Sequence, residues 1–191
     1  MGDSPSGVCG LVLAAGAGTR FGGPKAVARE PDGTPWMALA VRMLRAAGCD
    51  PVLIALGASA DAARPLVPAG AQVVIVPDWS EGLSASLRAG LRAASALSAA
   101  AVLVTPVDTP GATADAAIRV IDRAGVPLSA ALARAVYAAR PGHPVLIGRD
   151  HWTAIAQTLT GDSGAGAYLS AHDAIEVECG DLWSGADIDH R

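Results

Sequence analysis

The sequence predicts an α/β protein of three layers, in which helices cover both faces of a mostly parallel sheet. Short apolar runs alternate with stretches of helical period from one end of the chain to the other. Such alternation indicates crossover connections, which join parallel strands through a helix. The 191 residues suffice for one sizeable core, so we expect a single domain over 1–191, with residues 1–7 disordered. In sheets of this kind, ligands bind beyond the carboxyl ends of the strands.

The composition limits which binding partners and which cellular compartment we expect for this protein. Hydrophobic residues make up 51% of the chain and charged residues 17%, which describes a folded globular protein. The formal net charge of -4 gives no basic footprint, which argues against nucleic acid and still allows a local phosphate site. The three cysteines lie far apart without C-x-x-C spacing, and the start MGDSPSG has neither a basic nor an apolar segment. We therefore expect a cytoplasmic protein with no membrane segment.

Seven apolar runs predict the strands. Brief apolar stretches closed by Gly, Pro or polar residues are typical of buried strands. The predicted strands are Val8–Leu13, Val52–Leu56, Val73–Val76, Ala101–Thr105, Ala135–Ala139, Pro144–Ile147 and Ile175–Glu178. Stretches of helical period predict helices at 35–47, 61–66, 82–97, 112–123 and 149–159. Trp36 and Met37, at the start of the first helix, are predicted to pack in the core.

The stretch from Leu11 to Lys25, which reads LVLAAGAGTRFGGPK, is the most informative part of the chain. A buried strand runs there into four glycines within eight residues, namely Gly16, Gly18, Gly22 and Gly23. A turn without Cβ atoms lets backbone N–H groups crowd round a phosphate, and Arg20 and Lys25 add positive charge. We interpret this stretch as a triphosphate cradle.

Three other interpretations of this loop compete with the cradle. A dinucleotide-binding fingerprint needs an acidic residue after the second strand, and Gly57 stands there. A P-loop needs Ser or Thr after its lysine, and Ala26 follows Lys25. The third interpretation is a solvated glycine-rich turn without any ligand, and the spacing of the glycines alone does not exclude it.

Two later stretches offer further polar groups. Gly82 opens a helix with Ser84 and Ser86 in its first turns, and the free N–H groups there can receive an anion or a nucleotide edge. A helix capped by serine is the alternative. Asp108 follows the fourth strand in a loop bounded by prolines, and a carboxylate oxygen suits magnesium. A helix cap is the alternative there too.

The chain resembles the MobA-like nucleotidyltransferases in three motifs that together span nearly its whole length. The first is L-A-A-G-x-G-x-R-x-G-x-x-K from Leu13 to Lys25, whose L-A-A-G form resembles the molybdenum cofactor cytidylyltransferase branch. The others are W-x-x-G-L-x-x-S-L from Trp79 and G-H-P-V-L from Gly142. The resemblance implies a Rossmann-like sheet of the nucleotide-diphospho-sugar transferase type.

The resemblance also implies the roles of individual residues. The implied nucleotide-binding residues are Leu13, Ala14, Ala15, Gly16, Gly18, Gly22, Lys25, Gly82 and Ser86. The implied catalytic residues are Lys25 at the α-phosphate, Arg20 at the departing pyrophosphate, and Asp108. Asp108 and Asp189 are the implied ligands of Mg²⁺, with Asp187 as the alternative to Asp189.

On the acceptor side, the resemblance implies that His143 binds a phosphate or an enol. The alternative, that His143 only forms hydrogen bonds with backbone groups of a turn, remains open. The segment from Gly161 to Gly166 is similar to the family's G-D-x-G-A-R, but Gly166 stands where arginine is common. Asp162 in this segment is interpreted as a helix N-cap.

The function that the resemblance implies is transfer of a nucleoside monophosphate, favoured as CMP from CTP, with release of pyrophosphate. The acceptor is a phosphorylated small molecule, favoured as molybdopterin or the molybdenum cofactor, and a molybdoenzyme or its maturation factor is the expected protein partner. A sugar-phosphate nucleotidyltransferase is one alternative. A nicotine-blue-type oxidoreductase using NAD(P)H is a second, and a non-catalytic nucleotide-binding partner of a molybdoenzyme is a third.

Overall fold

A computed structural model describes residues 7–190, which form a seven-stranded sheet with helices on both faces. The strands are β1 (Val8–Ala14), β2 (Val52–Leu56), β3 (Gln72–Ile75), β4 (Ala101–Pro106), β5 (Leu132–Tyr137), β6 (Arg140–Gly148) and β7 (Ile175–Glu178). The α-helices are α1 (Trp36–Ala46), α2 (Ala60–Ala63), α3 (Leu83–Ser95), α4 (Ala114–Arg123), α5 (Trp152–Thr158) and α6 (Gly166–Ala171). The expectation of disorder over 1–7 lies outside the described residues except at Gly7, whose carbonyl oxygen accepts a hydrogen bond from Ala101.

The strand order is β3-β2-β1-β4-β6-β5-β7. β1 runs parallel to both β2 and β4, and β2 runs parallel to β3. β6 is antiparallel to its neighbours β4 and β5, while β7 is parallel to β5. β2 and β3 therefore lie on one side of β1, and β4 and the later strands lie on the other side. This reversal of strand order creates a switch point between β1 and β4. Ligands of open α/β sheets bind at such a point.

The predicted bounds agree with the structure at β2 and β7 and lie within one residue at β1, β3 and β4. The predictions Ala135–Ala139 and Pro144–Ile147 are wrong in their bounds. β5 and β6 form a hairpin, in which Ala138 and Ala139 have positive φ angles of 51° and 62°. Two-residue hairpin turns need this backbone, but they are usually marked by Asn or Gly, so an Ala-Ala turn gives no signal in the sequence.

Three helical segments also differ from expectation. The predicted helix 61–66 divides into α2 and a 3-10 turn over Arg64–Leu66. The predicted helix 149–159 divides into a 3-10 turn over Arg149–His151 and α5. No helix was predicted at α6, which is one and a half turns long and follows the loop that holds Asp162. Helices this short carry too few residues for an apolar period to stand out.

The alternation of side chains along β1 divides the core between the two faces of the sheet. Val8 and Val12 face the layer of α1 and α4, whereas Leu11 and Leu13 face the layer of α3 and α5. Trp36 and Met37 are buried in the first of these layers, as predicted. The expected three-layer α/β/α architecture is thus confirmed. Among residues 7–190, no helix combines the length and the apolar character needed to cross a membrane.

Candidate active site

The glycine-rich loop leaves the carboxyl end of β1 and closes on itself. The N–H of Gly23 donates a hydrogen bond to the carbonyl oxygen of Gly18 at 3.0 Å. Gly18 has a φ of +63°, and a Cβ at this position would collide with the carbonyl oxygen of Gly23. Only glycine satisfies both demands. Lys25 follows in a short 3-10 turn, which the buried side chain of Ala26 anchors in the core.

A cavity of about 550 Å³ opens over this loop, a size in the usual range for small-molecule sites. All of the predicted nucleotide-binding residues except Gly22 line this cavity. The predicted residues that line it are Leu13, Ala14, Ala15, Gly16, Gly18, Lys25, Gly82 and Ser86. Arg20 also lines it. Gly22 lies in the turn behind, with a φ of +88°. The structure therefore brings the β1 loop and the start of α3 to one cavity.

The start of α3 is held by the loop that precedes α6. Gly82 has a φ of +99° and makes no side-chain cap, so the alternative of a serine-capped helix is wrong. The N–H of Ser84 donates instead to the carbonyl oxygen of Gly161 at 3.0 Å. The Asp162 side chain lies so close to Gly82 that a Cβ there would collide with it.

Asp162 is a site residue that was not predicted from the sequence. The interpretation of Asp162 as an N-cap is wrong for α6, because α6 begins after Ala165 without a side-chain cap. Its side chain, together with Ser80, lines the cavity over the glycine loop, which we call the nucleotide cavity after the predicted nucleotide-binding residues in its wall. The G-D-x-G-A spacing marked this loop, but nothing in that spacing indicated that the loop folds back on α3.

Three carboxylates meet at the switch point. Asp108 follows β4, whose residue Pro106 pairs with Leu13 of β1, so it lies beside the glycine loop. Asp187 and Asp189 reach it from the closing segment. One oxygen atom of each of the three side chains lies within 4.8 Å of the other two. The structure thus places both aspartates of the D-I-D segment at the cluster, where the sequence could not separate them.

Lys25 is bound within this cluster. Its Nζ donates to Asp108 Oδ2 at 2.7 Å and to Asp189 Oδ1 at 2.9 Å. Partial burial lowers the pKa of Lys25, but the hydrogen bonds and charges of the two aspartates more than offset this and raise it above its ordinary value. The hydrogen bond and charge of Lys25 in turn hold the pKa of Asp189 below its usual value.

The cluster has the donor set that a hard divalent cation requires. Its ligand atoms would be carboxylate oxygens, which Mg²⁺ and Mn²⁺ prefer. Asp108 Oδ1 is buried and has no hydrogen-bond partner among the described residues. An unpartnered buried carboxylate oxygen is costly, and a bound cation would remove that cost. The residues present therefore fit a divalent cation.

A second and larger cavity, of about 1050 Å³, lies on the other side of Asp108. Aliphatic side chains of the α3 face of the sheet form much of its wall, including Leu13, Leu87, Val104, Val145 and Ile147. His143 and Asp187 line it as well. Asp108 lines both cavities, whereas Asp187 lines only this one and Asp189 only the nucleotide cavity.

An aromatic pair, Tyr137 and Trp183, lines the larger cavity. The rings of Tyr137 and Trp183 meet edge to face with their centroids 5.3 Å apart. The Tyr137 hydroxyl donates to the carbonyl oxygen of His143 at 2.7 Å. Burial lowers the pKa of His143, and the charges of Asp108 and Asp187 act in the opposite direction. Neither aromatic residue was predicted as part of the site, because one lies at a strand end and the other in a segment without periodicity.

The dinucleotide interpretation of the β1 loop meets a steric obstacle. A Cβ at Gly57 would lie 2.6 Å from the carbonyl oxygen of Ala15 and 2.5 Å from Cβ of Trp79. An acidic side chain that reaches a ribose from the end of β2 therefore has no room at this position.

A parallel-sheet switch point, a glycine loop with a fixed lysine and a carboxylate cluster between two cavities form the arrangement that is expected of a nucleotidyltransferase. The chain belongs to the MobA-like NTP transferase family, whose domain matches residues 10–175. The resemblance to the MobA-like nucleotidyltransferases seen in the sequence is thereby confirmed.

One relative known by its activity and two solved structures are similar to this chain over most of its length. A nicotine blue oxidoreductase from Paenarthrobacter nicotinovorans is 37% identical over 95% of this chain and 92% of its own length. A solved homologue of Rv0371c from Mycobacterium sp. strain JC1 is 28% identical, with a TM-score of 0.80 over 98% of this chain and 92% of that one. Rv0371c of Mycobacterium tuberculosis H37Rv, described as a complex with manganese, is 27% identical, with a TM-score of 0.70 over 90% of this chain and 86% of that one.

Proposed function

We propose that this protein transfers a nucleoside monophosphate from a nucleoside triphosphate to a phosphorylated small molecule and releases pyrophosphate. The proposed donor is CTP and the proposed acceptor is molybdopterin or the molybdenum cofactor. The L-A-A-G, W-x-x-G-L-x-x-S-L and G-H-P-V-L motifs support this choice. We propose that one domain carries the whole reaction.

The position of Asp108 carries the proposal. It lines the nucleotide cavity and the larger cavity, and it is a member of the carboxylate cluster between them. A donor over the glycine loop and an acceptor beside His143 would therefore meet at Asp108. Holding the two reactants in line in this way converts a bimolecular reaction into an intramolecular one, which is a large part of catalysis of phosphoryl transfer.

In the proposed reaction, a phosphate oxygen of the acceptor attacks the α-phosphorus of the donor. The bond between the α-phosphorus and the bridging oxygen breaks, and the leaving pyrophosphate takes its electron pair. Lys25 and Arg20 neutralise charge on the phosphoryl oxygens and on the pyrophosphate. Asp108 and Asp189 would hold Mg²⁺, which supplies further charge neutralisation when bound. The uncharged imidazole of His143 orients the acceptor.

The first test is ligand-induced stabilisation, because it needs no acceptor. We expect one nucleoside triphosphate with Mg²⁺ to raise the melting temperature by several degrees, since a ligand at a hundred times its dissociation constant adds about 2.7 kcal/mol. CTP, GTP, ATP and UTP are compared with and without Mg²⁺. Asp108→Asn should lose the Mg²⁺-dependent part, whereas Asp122→Asn, an exposed aspartate on α4, should retain it.

The decisive test is product formation. The stabilising triphosphate is incubated with molybdopterin or the molybdenum cofactor, and release of pyrophosphate is followed by ³¹P NMR. We expect Lys25→Ala to lower the rate on the order of a hundredfold, by analogy with single-donor deletions at other sites. Unchanged turnover in this variant would contradict the assigned role of Lys25.

A second candidate function is reduction of an aromatic substrate by NAD(P)H. The 37% identical relative, a nicotine blue oxidoreductase, favours it, and so does the aliphatic wall of the larger cavity. In that reaction a hydride passes from the reduced nicotinamide to the acceptor, which also takes up a proton, and NAD(P)⁺ is the product. Stabilisation by NADPH without a divalent cation, together with NADPH oxidation by nicotine blue, would overturn the transferase in favour of the reductase.

A further inference from the structure

We propose that Lys25 is an internal counter-ion that holds the cation position between Asp108 and Asp189, and that it moves from these carboxylates to the triphosphate when the nucleotide binds. Nucleotide and divalent cation would then bind cooperatively, because the nucleotide draws away the group that competes with the cation. The exchange rests on the nucleotide and cation sites of the function proposed above and adds to them an internal control of metal binding.

The geometry shows how completely Lys25 is committed to the carboxylates. Its Nζ lies 2.7 Å from Asp108 and 2.9 Å from Asp189, and 15% of its side chain is exposed. A lysine ammonium has three N–H donors, and these two ion pairs use two of them. The ring of Phe21 lies 5.8 Å from Nζ on a further side. Lys25 is therefore held at the cluster by two charged partners and not by chance contact with one.

A divalent cation that binds Asp108 and Asp189 would share these carboxylates with the ammonium of Lys25, and the two positive charges repel each other. Asp108 Oδ2 and Asp189 Oδ1 accept from Lys25, and Asp108 Oδ1 is buried. Carboxylates this close repel one another unless a positive group lies among them. In the nucleotide-free protein Lys25 supplies that charge, so a cation that binds Asp108 and Asp189 is repelled by the ammonium until the ammonium moves away. Metal binding without nucleotide should consequently be weak.

The nucleotide offers Lys25 a new partner at a short distance. Lys25 follows the glycine loop in sequence and lines the same cavity as Gly16 and Gly18. A triphosphate in that cavity brings several negative charges, to which Lys25 can move while it leaves Asp108 and Asp189 for the cation. Such coupling is reciprocal, so the cation must also favour the nucleotide by the same factor.

The test measures Mn²⁺ affinity in the absence of nucleotide, by isothermal titration calorimetry and by the EPR signal of free Mn²⁺. We expect Lys25→Met to bind Mn²⁺ at least about tenfold more tightly than the wild type, within the usual range for coupled sites. Arg20→Met is the matched control, since the charge of Arg20 also acts on Asp189 from the same cavity, but among the described residues Arg20 makes no ion pair with the cluster. It should change the Mn²⁺ affinity much less than Lys25→Met.

In the wild type, CTP should tighten Mn²⁺ binding by a larger factor than it does in Lys25→Met. Lys25→Gln removes the charge but keeps a donor for the carboxylates, and it replaces the methionine variant if that variant does not fold. Mn²⁺ affinity that is equal to or weaker than wild type in the folded variant overturns the exchange, and this result leaves the transferase assignment intact. If the wild type released no pyrophosphate while Lys25→Met bound Mn²⁺ more tightly than the wild type, the transferase alone would be overturned.

Discussion

The backbone N–H of Ile188 donates a hydrogen bond to the carbonyl oxygen of Asp108 at 3.0 Å. This bond joins the closing segment of the described chain to the loop that follows β4. The Ile188 side chain is partly buried and packs against the core of the α1 and α4 layer. Backbone and side chain together fix the residue between Asp187 and Asp189, and so both carboxylates are directed to Asp108.

We expect Ile188→Pro to weaken the metal site. Proline has no N–H to donate, and it restricts the backbone of the residue before it, which is Asp187. The lost hydrogen bond is worth about 1 kcal/mol, and its loss should also displace one carboxylate. We therefore expect the affinity for Mn²⁺, measured by calorimetry, to fall roughly tenfold. Ile188→Val keeps the N–H and most of the packing, so it should bind Mn²⁺ as the wild type does. Equal affinities in the two variants would show that the bond does not position the cluster.

The features that the sequence predicted correctly are those that depend on the pattern of neighbouring residues. Apolar runs located β2 and β7 at their observed bounds, and the glycine spacing located the loop after β1. A strand and two prolines also frame Asp108, although its role as a metal ligand was implied by the resemblance to the MobA-like family. These are signals of periodicity and turn chemistry, which neighbouring residues carry.

The sequence could not predict contacts between distant parts of the chain. Lys25 and Asp189 are 164 residues apart, and no spacing rule joins them. The approach of Asp162 to Gly82 depends likewise on how the loop before α6 lies over α3. Pairing of β6 between β4 and β5 is a third case, because it follows from a hairpin whose Ala138-Ala139 turn has no characteristic residue. Tertiary packing decides all three.

A pair of glycine variants should separate the folding of the β1 loop from its use. We expect Gly18→Ala to lower the stability of the protein by about 1–3 kcal/mol, because its φ is +63° and the new Cβ would collide with the Gly23 carbonyl. A methyl group added at Gly16 would meet no heavy atom within 4 Å, so Gly16→Ala should leave unfolding unchanged. Urea denaturation of the two variants without ligand measures the difference.

The same pair tests the cradle itself. If a triphosphate approaches the backbone of Gly16, the added methyl group of Gly16→Ala should reduce the thermal shift with nucleotide and Mg²⁺, although the protein folds normally. A surface turn without a ligand predicts no such loss. Gly166→Ala corrects for effects of a glycine substitution on the assay, because Gly166 is exposed, lies outside the nucleotide cavity and has room for a Cβ without a positive φ.

His143 should make the protein less stable as the pH falls through the acid range. Burial lowers its pKa in the folded state, and Asp108 and Asp187, the charged groups that face it, oppose this shift without cancelling it. The unfolded chain takes up the proton near the ordinary histidine pKa of about 6.5, while the folded protein still carries a neutral ring. The contribution of the neutral ring to stability is therefore present above about pH 6.5 and is lost as the pH falls toward the lowered folded pKa.

The measurement is a pair of denaturation series at about pH 7.5 and about pH 5 on the wild type and on His143→Asn, with NMR titration of the ring to give the pKa directly. We expect the wild type to lose more stability between these two values than the variant, because asparagine takes up no proton. A folded-state pKa at or above about 6.5 would contradict the desolvated environment that the structure assigns to His143. It would also remove the uncharged imidazole from the acceptor side of the proposed reaction, and His143 would then bind an acceptor phosphate as a cation.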